Sequence, residues 1–299
     1  MNIMTEQEFL TNYDITQYPQ PSVATDIVLF TLDKQNDQPT KIQLGPLQIL
    51  LIQRATHPCK DKWALPGGFC KPDETFEETA IRELFEETNV ENAYLEETKT
   101  FTGQNRDKRG WIASDAFTGI ICKSDCTLRA DSDAWKAEWF DVSLQIVKSY
   151  TTTTAKTTFI SNATTTATTV TTYKLICRNK NEWLHALIRC TKTLQNGRLK
   201  YQWEVQHSDF AFDHAQIITE LLLHLRKTIQ NDPRMLFEFV PEFFTIGELE
   251  AAYKAIYELT DRIPNFRRKI NDYVIETPNI ADKQAFRPAK LYIRNVNMF

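Results

Sequence analysis

Three carboxylates, Glu83, Glu86 and Glu87, fall within one helical turn of each other in the stretch from Gly68 to Val90, GFCKPDETFEETAIRELFEETNV. On a helix turning about 100° per residue, Ala80, Ile81, Leu84 and Phe85 form one apolar arc and the three carboxylates gather on the facing arc. Like charges that close repel by a few tenths of a kcal/mol per pair (roughly 0.2–0.5) even on an open helix. A hard divalent cation relieves that repulsion, and magnesium takes carboxylate oxygens together with waters and substrate phosphates. Arg82 borders the cluster and can hold a carboxylate with two parallel hydrogen bonds. Read alone, the cluster fits a solvated acidic helix face better than a metal site. A longer spacing frames the cluster: Gly68, Glu74, Arg82-Glu83-Leu84, Glu86-Glu87, then Asn89-Val90.

The rest of the chain must supply elements that position this helix. Its 299 residues suffice for one large or two ordinary domains, and 42% hydrophobic with 25% charged residues is an ordinary globular mix. No apolar run approaches the roughly 20 residues that span a bilayer. Residues 1–20 read as a polar arm, with acids where a secretory leader has bases, so a cytoplasmic protein with no membrane partner is expected. The six scattered cysteines fit reduced thiols better than a structural metal at Cys122 and Cys126, which lack a second pair at finger spacing. Val23–Leu32 and Leu47–Gln53 read as buried strands. Tyr94–Phe101, Trp111–Cys122 and a short Ala137–Val142 are further strand candidates. Residues 151–172 hold 13 threonines in 22 positions and read as a β-rich or partly disordered insertion. Trp183–Cys190 and Tyr201–Val205 flank a hairpin turning at Asn196-Gly197, and His214–Gln230 is an amphipathic helix.

After Asp232-Pro233 the pattern becomes compact and helical. Thr245 and Glu248 form a capping box opening one helix. A second segment, NFRRKIND, places Ile263, Phe266, Ile270 and Tyr273 on one face, and YVIET and AKLYI close as a hairpin. Residues 262–294 carry eight Lys and Arg against three acids, although the whole chain has a net charge of −4. That asymmetry points to a polyanionic partner. Arg267, Arg268 and Lys269 stand off the apolar face of the second helix, where a recognition helix displays cations. Arg287, Lys290 and Arg294 stand where a wing meets phosphates. A helical dimerisation domain fits the same pattern.

The spacing in the acidic stretch resembles the signature of the Nudix hydrolases at every position but one: the expected glycine is Asn89, the residue type best able to replace glycine at a helix end with positive φ. Trp63-Ala64-Leu65-Pro66 resembles the family's lead-in. The stretches AFDHAQII, FTIGELEAAYKAI, NFRRKI and RPAKLY resemble the Nudix-related transcriptional regulators, in which a Nudix domain precedes a C-terminal winged helix. The resemblance implies an α/β (α+β) fold: a Nudix α/β/α sandwich over residues 21–232, with the Thr-rich insertion at about 146–200, then a winged helix-turn-helix domain over 233–299. It further implies Glu83, Glu86 and Glu87 as ligands of Mg²⁺ or Mn²⁺, with Arg82 holding one of them, and Gly67 and Gly68 as the loop bringing backbone amides to the diphosphate. The loop GQNRDKRGW resembles that of Nudix proteins recognising ADP-ribose, which implies Arg106, Arg109 and Trp111 as substrate contacts. The expected protein binds and hydrolyses an ADP-ribose-like nucleoside diphosphate, binds double-stranded DNA, and is a homodimer. A catalytically silent metabolite sensor and a hydrolase without DNA binding are the alternatives.

Overall fold

The computed structural model describes all residues except 1–3, 35–43, 104–105, 127, 129–133, 157–163 and 281–288. Among the described residues, one mixed sheet dominates. Its strands are β1 (Ser22–Lys34), β2 (Leu44–Arg54), the two-residue β3 (Trp63–Ala64), β4 (Tyr94–Phe101), β5 (Ile112–Ile120), β6 (Ala134–Lys156), β7 (Thr164–Arg178), β8 (Trp183–Gln195) and β9 (Arg198–Ser208). They run in the order β4-β5-β1-β2-β6-β7-β8-β9, with β3 added to β2. Only the β1–β5 pair is parallel.

Side chains alternate across a strand, and β1 uses both faces. Ile27 and Leu29 pack beneath helix α2 (Phe76–Thr88) with Leu50 and Phe117. Val28 and Phe30 face helix α3 (His214–Asn231), packing with Ile49, Leu51, Leu221, Leu222 and Leu225. The result is the expected three-layer arrangement, helix on sheet on helix. Its continuous apolar strands follow from burial on both faces.

The Thr-rich region is ordered β-structure wherever it is described. The short strand expected at Ala137–Val142 is the root of the 23-residue β6. That strand pairs with β2 through residues such as Phe140 and then with β7 for its remaining length. Threonine suits this: its branched side chain fits a pleated surface without an apolar core beneath it. Thr151 and Thr169 hydroxyls meet at 2.9 Å across the pair, and Thr151–Thr154 are exposed. The β8–β9 turn falls at Asn196-Gly197, both with positive φ.

Residues 1–20 contain more than a polar arm: Thr5 and Glu8 cap a helix α1 (Glu6–Asn12) that buries none of its residues. All six cysteines are free. No described helix is long and apolar enough to cross a membrane.

Beyond α3, a 3₁₀ segment (Pro233–Phe239) leads to α4 (Ile246–Tyr257), α5 (Phe266–Ile270) and the antiparallel pair β10 (Val274–Ile280) and β11 (Lys290–Arg294). The Thr245–Glu248 capping box is present. Phe266 and Ile270 are buried, while Ile263 and Tyr273 pack at the margin of the core. The second helix is shorter than NFRRKIND, ending at Ile270 before a 3₁₀ turn. Phe244 bridges to Tyr292 through two backbone hydrogen bonds of 3.0 and 2.8 Å, so the hairpin is anchored on the helices.

One core position is frustrated. Asp115 on β5 is 1% exposed and accepts from Thr100 Oγ1 at 3.0 Å, but its Oδ2 has no hydrogen-bond partner among the described residues. Burial, against the Thr100 bond and with the Glu97 carboxyl adding to it, raises its pKa to about 6. The folded state therefore holds this proton more tightly than the unfolded chain, so stability is lost as pH rises from about 4 to about 6 and is flat above. Asp115→Asn should stabilise the protein by about 1–3 kcal/mol at pH 7.5, with the gain vanishing near pH 4, as read by urea denaturation; a gain independent of pH would contradict this origin.

Candidate active site

Helix α2 is defined by its ends. Thr75 and Glu78 form a capping box at the start. At the other end Asn89 adopts the left-handed conformation (φ 58°), and its N–H donates to Phe85 O at 2.8 Å. The orientation of the helix differs from its apolar arc. Ile81 and Phe85 are exposed, whereas Thr79, Ala80, Leu84, Glu87 and Thr88 are buried. The buried arc thus contains Glu87 and borders Glu83. The helix turns its carboxylates inward against the Gly67-Gly68 loop.

That loop explains the orientation. Gly67 has φ +148°, and a Cβ there would stand 2.0 Å from Thr25 O. Its N–H donates to Glu87 Oε2 at 2.9 Å. A Cβ on Gly68 would fall 2.4 Å from Glu83 Oε1. Both glycines are needed for backbone and carboxylates to approach this closely.

Arg82 is the hub. Nε and Nη2 bind the two oxygens of Glu74 at 2.7 and 2.8 Å. Nη1 reaches Glu83 at 2.6 Å and Glu86 at 3.2 Å, and Nη2 also donates to Phe69 O at 3.2 Å. The bidentate partner is therefore Glu74, and Glu83 and Glu86 receive single bonds. The Arg82 bonds hold the Glu74 carboxyl down at about 2, and Glu74 in turn raises the arginine further above its usual range. Glu83 and Glu87 remain turned toward the cleft, with Glu86 at its exposed edge. These three carboxylates fit a hard divalent cation, whose oxygen ligands they would supply.

A cleft of about 400 Å³ opens beside them, lined by Asp26, Arg54, Gly67, Gly68, Phe69, Arg82, Glu83, Glu87, Arg109 and Phe212 among others. The Arg109 guanidinium lies 5.0 Å from the Phe69 ring and 5.4 Å from that of Phe212, and the Arg54 guanidinium lies 5.0 Å from the Phe212 ring. Each is within cation–π range. Arg109 is also tied to Asp107 at 2.7 Å. Of the loop residues expected at the ligand, Arg109 is at the cleft. Trp111 is half exposed and does not line it; its carbonyl accepts from Ser22 N–H instead. Arg106 is buried, binding Asp213 through Nε and Nη2 at 2.9 and 3.0 Å and Asp26 at 3.4 Å. Burial works against its charge, but Asp213 and Asp26 outweigh it and raise its pKa. It staples its loop to the start of α3.

His214 completes that network. Its Nδ1 accepts from Leu65 N–H at 2.8 Å, and Nε2 stands 3.4 Å from Asp26. Burial lowers its pKa, so it is the neutral ring that receives the Leu65 bond. Arg54, Phe69 and Phe212 had no distinguishing pattern in the sequence; only the fold gathers them.

In the C-terminal unit Arg267, Arg268 and Lys269 are all exposed on α5. Arg267 donates to Tyr292 Oη at 3.0 Å and is braced against the hairpin. Arg268 and Lys269 make no side-chain hydrogen bond or ion pair with any described residue. Lys290 is paired with Glu276. Arg287 lies outside the described residues.

Comparison with known proteins accounts for both units. A model of the NUDIX domain matches residues 28–162, and one of the NrtR DNA-binding winged helix domain matches residues 236–293. Residues 28–162 thus form a Nudix domain, and residues 236–293 an NrtR-type winged helix. It is 37% identical over 123 residues to the ADPR responsive transcriptional repressor NtrR of Acinetobacter baylyi, covering 40% of this chain and 45% of that protein. It is 34% identical over 125 residues to the ADP-ribose pyrophosphatase of Methanocaldococcus jannaschii, covering 42% and 64%. The chain thus spans roughly half to two thirds of these relatives' lengths. Over nearly its whole length the fold matches a MutT/nudix family protein from Enterococcus faecalis (23% identity, TM-score 0.65, 97% of this chain and 94% of that one). It also matches Shewanella oneidensis NrtR complexed with a 27mer DNA (22%, TM-score 0.55, 92% and 94%). Nudix hydrolases generally use divalent metals, in keeping with the inward carboxylates.

Gly67→Ala should lower unfolding stability by about 2–4 kcal/mol, because the added methyl must displace the β1 backbone. An unchanged urea midpoint would refute the close approach of the loop to Thr25.

Proposed function

We propose that the Nudix domain binds an ADP-ribose-like nucleoside diphosphate with Mg²⁺ or Mn²⁺ and hydrolyses its diphosphate, and that the winged helix binds double-stranded DNA as part of a homodimer. The observation that carries this reading is the cleft itself. Carboxylates on one wall adjoin Arg54 and Arg109 and two aromatic rings on the other. Phosphates call for the guanidiniums, and a base or ribose for the rings. Glu83, Glu86 and Glu87 would hold the cation, which when bound supplies polarisation of phosphoryl oxygens and a more acidic water. Arg82 fixes two of these carboxylates, and the Gly67-Gly68 backbone approaches the diphosphate without side-chain obstruction. The names of the relatives, one an ADP-ribose pyrophosphatase and one a repressor responsive to ADPR, support the same ligand.

The repressor relative also favours a second reading, in which the site binds ligand without turnover. The ligand then acts by preferring one arrangement of the DNA-binding unit, which is all that coupling requires.

Incubation with ADP-ribose and Mg²⁺, followed by chromatography for AMP, tests the enzyme reading. AMP release should fall by roughly 100-fold or more in Glu86→Gln, the scale on which loss of one electrostatic stabiliser acts. Turnover unaltered by that change would refute the metal assignment. A ligand-induced rise in melting temperature with no AMP would establish the sensor. For DNA, Arg268→Ala with Lys269→Ala should weaken binding and reduce the log–log salt slope by about 2. An unchanged slope would remove α5 from the DNA interface.

A further inference from the structure

A second group of metal-ligating side chains stands away from the carboxylate helix. His185 on β8 and His207 on β9 flank Asp209, which follows β9 directly. His185 Nδ1 lies 2.8 Å from Asp209 Oδ2, and His207 Nε2 lies 3.2 Å from Asp209 Oδ1. The two imidazole rings are 4.5 Å apart between centroids and tilted by 30°. All three ligand atoms lie within 4.8 Å of one another.

Local structure holds this arrangement. Leu184, Ala186 and Ile188 turn inward, so the alternation of β8 puts His185 on the opposite face. The register pairs Leu187 with His207 and Ala186 with Ser208, which brings Asp209 opposite His185. Asp209 is fixed there from both sides: it accepts from the His185 backbone N–H at 2.8 Å, and its own N–H donates to His185 O at 3.1 Å. One residue of β8 and two from the end of β9 thus aim three donors at one point near the sheet edge.

We propose that His185, His207 and Asp209 form a site for a borderline transition-metal cation such as Zn²⁺, Ni²⁺ or Co²⁺, separate from the Mg²⁺-type site on α2. Two imidazoles with one carboxylate suit these ions, whereas the all-oxygen set of Glu83, Glu86 and Glu87 suits magnesium. Ligand atoms around a tetrahedral zinc stand about 3.3 Å apart, as zinc–donor bonds of about 2.0–2.1 Å require. Rotation about the side-chain torsions lets the 2.8 Å His185–Asp209 contact widen and draws in donors that stand up to 4.8 Å apart. Each ring binds through the nitrogen that now faces Asp209 and carries its N–H on the other nitrogen, so neutral imidazoles lose no proton. Three protein donors leave a fourth position for water or another ligand.

The place of the site gives it a structural consequence. Asp209 opens the segment that carries Phe212 into the cleft and Asp213 onto Arg106. Within it Ala211 N–H donates to Trp63 O at 2.8 Å. A cation at Asp209 pins the stem of this segment to β8.

The test uses the full chain, stripped with a chelator and returned to excess Mg²⁺ so that the carboxylate site is filled. Zn²⁺ is titrated against a chromophoric chelator, and Co²⁺ is followed by its visible absorption. One equivalent of Zn²⁺ should bind despite the Mg²⁺. His207→Ala, on the exposed edge strand, and Asp209→Asn should weaken it by more than the roughly 10–100-fold that loss of an outer-shell partner costs. The Co²⁺ spectrum should change with them. Circular dichroism confirms that both variants are folded. Zinc affinity and Co²⁺ spectrum that are the same in parent and both variants, or no zinc bound by the parent at micromolar concentration, would overturn the proposal. Retained binding of Zn²⁺ by Glu86→Gln with loss in His207→Ala would separate this site from the one on α2.

Discussion

Several carboxylates crowd into the space between α2 and the glycine loop, and a single guanidinium with two glycines makes that crowding tolerable. Arg82 binds Glu74, Glu83 and Glu86. Glu87 instead takes the Gly67 backbone N–H. Removing charge from water costs several kcal/mol unless it is paired and hydrogen-bonded, so these contacts determine the helix orientation more strongly than its apolar residues do. Ile81 and Phe85 are left in solvent as a result. The Phe69 carbonyl is drawn to Arg82 in the same way, which places the Phe69 ring at the mouth of the cleft.

A second buried polar network serves the opposite side. Asp26 on β1 meets Ser114, Arg106 and His214, while Asp213 takes the other side of Arg106. It unites β1, the loop before β5, the Leu65 backbone and the start of α3. All members have partners, as a buried network must to favour the fold. Between the two networks the cleft has one wall built by α2 and another by the Asp209–Asp213 segment.

Much of this was legible in the sequence because the residues are close together along it. Glu83, Glu86, Glu87 and Arg82 depend on helical spacing, and Asn89, Thr245 and the Asn196-Gly197 turn depend on local backbone preference. The winged-helix order could be read for the same reason. What escaped depends on long separations. Arg106 looks like a surface cation until Asp213 and Asp26, distant in sequence, close on it. Trp111 stands outside the cleft, whereas Phe69 and Phe212 line it because separate segments converge there. The length of β6 escaped because threonine alone does not distinguish a paired strand from an open chain. The His185 group depends on the register of two strands, which composition does not reveal.

The winged helix is joined to the Nudix sheet through a shared apolar core and, at its margin, through Glu258. Glu258, in the left-handed conformation at the end of α4, accepts from Ser143 Oγ at 2.6 Å, Leu144 N–H at 3.1 Å and Arg226 at 2.7 Å. Burial favours its neutral form, but these donors outweigh burial and keep its pKa low. Ser143 and Leu144 lie on β6 just past its pairing with β2 and before its long threonine run. From there to its end β6 extends about 40–45 Å at the usual rise per residue. It is therefore a lever whose fulcrum is shared with the winged helix. A tilt of about 5° at that fulcrum carries the far end of β6 through roughly 3–4 Å, so a change too small to notice at α4 becomes a sizeable displacement there.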